Sequence, residues 1–302
     1  MSKLRTVAGP VGPESAGITY IHEHLCIDLR TPEDREGRLA DEDAVVQDLA
    51  EVAALGGRTI VELTNRGMGR DPVALRRVAE RSGLNVIAAT GFYFGRFLPG
   101  EVRSGSVEEL AVSMERELVE GIGDTGIAAG LIGEIGSSRG EITPLEEKVF
   151  RAAARAQRQT GVPIMTHTSY GTMAPEQVAL LDRAGADLSR VSLSHLDLVA
   201  DLEYHESVLR TGVFIQFDTI GKERYMPDET RLRLLLELLD RGWERQIMLS
   251  CDISLEAYLR SRGGHGYGYL LRTFVPRLRQ AGVEEQAVEE MLVHNPARFL
   301  AW

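Results

Sequence analysis

The sequence predicts a single α/β chain folded as a (β/α)8, or TIM, barrel with an additional C-terminal helix. Three observations predict it. Eight short apolar runs recur along the chain, at residues 18–25, 59–63, 85–90, 128–135, 163–168, 191–195, 213–217 and 246–252. They are continuous rather than alternating, as strands covered on both faces should be. Amphipathic stretches with helix start and stop signals separate them, and the 302 residues suit such a barrel, which needs roughly 250. An open, doubly wound sheet is the competing architecture.

The helices are punctuated by chemistry. Residues 41–55 close on Gly56-Gly57, a C-terminal stop. Asp71-Pro72 pairs an N-cap with proline at the first helical position. Ser106 with Glu109, and Thr143 with Glu146, carry the capping-box pattern. Further helices fit residues 175–184, 202–209, 228–241 and 269–280, and a terminal one runs from Glu284. One barrel domain is expected over residues 1–302, with 1–17 as an N-terminal extension and 284–302 as the C-terminal helix. The literal G-x-G-x-x-G at Gly121–Gly126 follows a helix and precedes a strand, the wrong order for a dinucleotide site. Gly263-Gly264-His265-Gly266 reads as a mobile loop rather than a phosphate cradle.

Composition narrows the partners. A hydrophobic share of 43% with 26% charged residues is globular. No apolar run approaches the roughly 20 residues of a membrane span, and no signal core follows Met1, so the cytoplasm is expected. A formal charge of −11 argues against nucleic acid and acidic membranes. The expected partner is a small-molecule substrate, and a homodimer is compatible with the sequence. Cys26 and Cys251 are too few for a disulfide framework. Both stand beside proposed metal ligands and read as small buried side chains.

The chemistry sits at the C-terminal ends of the runs. Run one gives His22 and His24, which share one face of a strand while Glu23 takes the other. Run four gives Glu134, run five His167, run six His195 and run eight Asp252. In a barrel these ends converge on the face where active sites are built. Four of the seven histidines fall there, in apolar surroundings where a free imidazole is costly. Unrelated core histidines are the bland reading. Six nitrogen and oxygen ligands exceed one tetrahedral zinc and suit two divalent ions sharing a ligand, with zinc expected and manganese, cobalt or nickel as alternatives. Glu134 and a hydroxide would bridge; His22, His24 and Asp252 would hold one ion, His167 and His195 the other. Asp252 could also accept a proton as the hydroxide attacks.

This order of residues resembles the amidohydrolase superfamily and, within it, the phosphotriesterase family, closest to its homology-protein branch. The likeness is carried by Tyr20–Leu29, Glu62–Arg70, Gly133-Glu134-Ile135-Gly136, Ile142–Phe150, Gln216–Lys222 and Asn295–Phe299, and covers nearly the whole chain. It implies the barrel and the binuclear metal centre. Well-studied members bridge their metals with a carboxylated lysine on strand four, where this chain has Glu134. The shorter glutamate requires the backbone to approach the metals or the pair to shift.

By resemblance to the lactonases, Tyr93 faces the metals and hydrogen-bonds a lactone. Lys222 and Arg224, after run seven, are cations able to hold a substrate carboxylate or phosphate. Arg260, Arg262 and His265 follow run eight. The expected activity is hydrolysis of an ester-like centre, first a lactone or carboxylic ester. A phosphoester hydrolase, a metal-bound barrel with a binding or regulatory role, and a mononuclear deaminase are the other readings.

Overall fold

In the computed structural model, which describes residues 2–32, 35 and 37–302, eight parallel strands form one curved sheet. They are β1 (Ile18–Glu23), β2 (Gly57–Glu62), β3 (Asn85–Thr90), β4 (Leu131–Ser137), β5 (Ile164–Thr168), β6 (Val191–Leu193), β7 (Phe214–Phe217) and β8 (Ile247–Leu249). Each pairs with the next in chain order, so the barrel excludes the open doubly wound sheet. The ladder is nearly closed. At the seam, Asp252 N–H donates to His22 O at 3.2 Å, and His22 N–H donates to Ser250 Oγ at 3.1 Å. The buried Glu23 carboxylate does the rest. It accepts from Ser250 Oγ (2.7 Å), Cys251 N–H (2.8 Å) and Ile253 N–H (2.7 Å).

Helices α1 (Glu42–Ala54), α2 (Pro72–Ser82), α3 (Val107–Val119), α4 (Pro144–Thr160), α5 (Ala174–Arg183), α6 (Leu202–Leu209) and α7 (Asp228–Asp240) follow β1 to β7 in turn. Both capping boxes form, Ser106 with Glu109 and Thr143 with Glu146. Such a cap is worth about 1 kcal/mol. Glu146 also accepts from Gly95 N–H and Ser138 Oγ, which ties the β3 and β4 loops to α4. After β8 the expected helix is a π-helical turn, Leu270–Phe274, running into Val275–Gln280. The terminal helix contains a second π turn at Glu290–His294 and ends at Leu300.

Two apolar clusters hold the layers. One lies between the strands and the helices around them. The other takes Ile21, Val61, Ile87, Leu131, Met165, Phe214 and Met248 from strands, and Leu4, Phe299 and Leu300 from the chain ends. No residue of α1 to α7 contributes to it, so it is the barrel's interior, plugged from below by the termini. The hairpin of Leu4–Thr6 and Gly9–Val11 was not legible in the sequence, nor was the small ribbon of Ile27–Asp28 and Arg38–Leu39. The glycine run at 263–266 is tied down rather than loose. Gly264 and Gly266 N–H groups donate to Leu259 O and Tyr258 O, and a Cβ at Gly264 would meet Tyr258 O at 2.1 Å.

Candidate metal centre

Two strands that carry proposed ligands gain an extra residue beside them. Between Tyr20 and Glu23, β1 has one residue more than its partner β2, and β4 has one more than β5 between Ile132 and Ile135. Such bulges re-aim side chains next to active sites. On β1 the bulge lets Ile21 join the barrel's interior while His22 still reaches the ligand set. On β4 it carries Glu134 inward. Its carbonyl accepts from Asn65 Nδ2 at 2.7 Å, and its N–H donates to Leu63 O at 3.4 Å. Gly133 is required for that path: its φ is +154°, and a Cβ would meet Met165 O at 2.8 Å.

The Glu134 carboxylate lies among all four histidines. Oε1 is 3.5 Å from His24 Nε2; Oε2 is 3.6 Å from His22 Nε2, 3.1 Å from His167 Nδ1 and 3.8 Å from His195 Nε2. One donor atom from each of His22, His24 and Glu134 falls within 4.8 Å of the others, and the same holds for Glu134, His167 and His195. The two groups share Glu134. Asp252 Oδ1 stands beside the first, 3.4 Å from His24 Nε2 and 3.8 Å from His22 Nε2. All six residues expected as ligands therefore meet at one place. His195 and Asp252 reach it with φ of +63° and +50°, left-handed conformations that non-glycine residues adopt at a cost of order 1–3 kcal/mol.

The donor set fits metal ions. His22 Nε2 is buried and has no hydrogen-bond partner among the described residues. An isolated buried nitrogen costs free energy unless something accepts its lone pair. On three of the four histidines the opposite ring edge is occupied, while His167 turns its Nδ1 toward Glu134. His24 Nδ1 lies 2.9 Å from Thr64 Oγ1, and His195 Nδ1 lies 3.0 Å from Asp218 Oδ1. His22 Nδ1 lies 2.8 Å from Asp218 Oδ2 and 3.0 Å from Ser194 Oγ. A proton held on Nδ1 by these partners leaves the Nε2 lone pair for a metal. Asp218 was missed in the sequence. Its signal was the polar Gln216-x-Asp218 alternation in an apolar strand, with both side chains reaching the histidines.

Charge follows the geometry. Burial works against ionisation of Glu134, but His22 and His167 beside it hold its carboxyl well below the usual range. Burial likewise opposes a charged His24, yet Asp252 and Glu134 push its imidazole up to about 9. Lys222 and the neighbouring histidines overcome burial at Asp252 and hold it low. Burial raises both thiols, Cys26 to about 11 and Cys251 far above its ordinary value. Neither belongs to a ligand group among the described residues.

A cavity of about 410 Å³ opens above the centre, lined by His167, His195 and Asp252 at its floor. That is the small end of ligand pockets, roughly 300–1,000 Å³. Tyr93, Lys222 and Arg224 all line it. Tyr93 OH is 3.3 Å from His167 Nδ1, and burial followed by the charges of Glu134 and Asp252 keeps the phenol protonated. Lys222 is buried, its ammonium bonded to Asp252 Oδ2 and 3.3 Å from Ser254 Oγ. Arg224 is exposed and donates to Tyr225 OH at 3.1 Å. Arg260 and Arg262 pair with Glu51 and Asp41 away from the cavity.

Known proteins share this arrangement of chain. A sequence model of the phosphotriesterase family matches residues 2–300. A phosphotriesterase homology protein of Escherichia coli is 46% identical over 287 residues, 95% of this chain and 98% of that one. Its crystal structure, with phosphate in the active site, superposes with a TM-score of 0.93 over 95% of this chain and 99% of that one. An N-acetyltaurine hydrolase of Xenopus tropicalis is 32% identical across 99% of this chain and 98% of its own. A lactonase of Listeria monocytogenes is 31% identical, with a TM-score of 0.93 over 99% of this chain and 98% of that one.

Proposed function

Because the chain belongs to the phosphotriesterase family, whose members are hydrolases, we propose that it is a binuclear metal-dependent hydrolase of small esters, a lactone or carboxylic ester first. The observation that carries this reading is the shared position of Glu134, one carboxylate common to two histidine groups beneath a cavity. His22, His24 and Asp252 would hold one ion and His167 and His195 the other, with Glu134 between. Two divalent ions, zinc in this reading, would supply Lewis-acid polarisation of the carbonyl and a water made acidic enough to attack at neutral pH.

The chain's own groups do the rest. Asp252 is ionised and accepts the attacking water's proton on the oxygen that faces His24. Lys222 holds the other oxygen and fixes the carboxylate's orientation. Tyr93, protonated at the cavity wall, donates a hydrogen bond to the substrate's oxygen. Arg224 at the rim contacts the part of the substrate farthest from the metals.

A second reading replaces the ester with an amide, favoured by relatives named N-acetyltaurine hydrolase at 32% identity along the whole chain. A phosphoester is the third reading, since the same pair of ions would activate water for attack at phosphorus; a barrel that binds without turnover is less favoured. The experiment is a turnover panel of lactones, carboxylic esters, N-acyl amino compounds and phosphoesters on metal-loaded protein. Turnover of lactones or esters that chelation abolishes is expected. Amide-only or phosphoester-only turnover would replace the substrate class, and no turnover on any of them would contradict the enzyme reading.

A further inference from the structure

We propose that the substrate carries a terminal anion, a carboxylate, sulfonate or phosphate, held at the cavity rim by Arg96 and Arg224. The proposal rests on the hydrolase reading above and names the substrate class within it. In a chain with 45 acidic against 34 basic residues, the described lining of this cavity has one carboxylate, Asp252, which sits at the metal centre. It has three cations: Arg96, Lys222 and Arg224. Lys222 is engaged with Asp252. The two arginines have no carboxylate partner among the described residues; other exposed arginines, such as Arg58, Arg103 and Arg233, share that, but Arg96 and Arg224 line this cavity.

Each guanidinium lies over the ring of the next residue, Arg96 over Phe97 at 5.1 Å and Arg224 over Tyr225 at 4.8 Å. A planar guanidinium presents an N–H fork that matches an oxyanion, and it loses less freedom per hydrogen bond formed than a flexible ammonium does. They come from the loops after β3 and β7 and line the same cavity. His167, His195 and Asp252 thus line the side of the cavity nearest the proposed metal site, while Arg96 and Arg224 are exposed at its mouth. A small molecule whose reacting carbonyl sits at the floor would place its far end among those cations.

The test compares two esters that differ only at the acyl end, 4-nitrophenyl hemisuccinate and 4-nitrophenyl butyrate, on metal-loaded protein. The ratio of their kcat/KM values should favour the hemisuccinate. In Arg96→Met/Arg224→Met that ratio should fall about tenfold or more, the scale of lost hydrogen bonds to a charged group. A ratio unchanged in the double variant, or a loss shared equally by both esters, overturns the proposal. Equilibrium binding of glutarate against glutaramide on the same proteins makes the comparison without turnover. If neither ester is hydrolysed while the wild-type protein prefers glutarate and the double variant does not, the ester reading falls and the anion subsite stands. No preference for glutarate in the wild-type protein overturns the subsite.

Discussion

Asp218 and His195 are joined twice: Asp218 Oδ1 accepts the backbone N–H of His195 at 2.9 Å and faces its Nδ1 at 3.0 Å. The same carboxylate reaches His22 Nδ1 with its other oxygen, so one residue fixes a histidine in each proposed metal group. Asp218→Asn keeps the size and removes the charge. Metal affinity should fall about 10–100-fold, the usual effect of losing a carboxylate behind a ligating histidine. Titration of chelated protein with zinc against a chromogenic chelator measures it, and wild-type affinity would remove Asp218 from this role.

Asp252→Asn retains an oxygen toward the histidines and loses the base. Turnover should drop about 10²–10⁴-fold with metal largely retained. Steady-state kinetics alongside elemental analysis checks both; undiminished turnover would leave Asp252 a structural ligand only.

In the metal-free protein His24 titrates at about 9, against roughly 6.5 in an unfolded chain. A raised pKa gives stability that is full below about pH 6.5 and is lost as pH climbs through about 9. A metal ion held by His24 would take the place of that proton and bind more tightly over the same window. The Tm gap between metal-loaded and chelated protein should therefore widen from pH 6.5 to 9. A gap that stays constant would mean that His24 does not exchange its proton for metal.

Arg231 is fully buried between Asp197 and Asp228, with Nε and Nη1 at 2.7 and 2.8 Å from their carboxylates. Arg231→Met strands two buried anions, and loss of one partner from such a set costs about 3–5 kcal/mol. Urea denaturation should show an unfolding free energy lowered by that amount. A shift below 1 kcal/mol would mean that water reaches the site.

The sequence made the barrel legible because its strands are buried on both faces and its helices carry explicit caps. Residues 85–90 and 202–209 match their elements end to end. The six candidate ligands were legible for a related reason, since histidine and carboxylate stand out at the ends of apolar runs. What was not legible depends on register. Nothing in Ile132-Gly133-Glu134-Ile135 announces that one residue is extra relative to β5. Asp218 carries no mark of its own in the sequence, because its place depends on two histidines 196 and 23 positions away. Lys222 was read as a substrate contact from its charge alone; its burial against Asp252 is a tertiary fact.

The central claim is that Glu134 is shared by two metal ions, and metal content per chain tests it most directly. Protein purified with divalent metal and freed of loosely bound ions should hold close to two ions per chain by elemental analysis. His195→Ala should hold about one. Glu134→Gln should bind the pair much more weakly while circular dichroism shows an intact barrel, and reloading of chelated wild-type protein should not depend on bicarbonate, since a glutamate already carries its carboxylate. A single ion in the wild-type protein, or two retained in Glu134→Gln, would contradict the account.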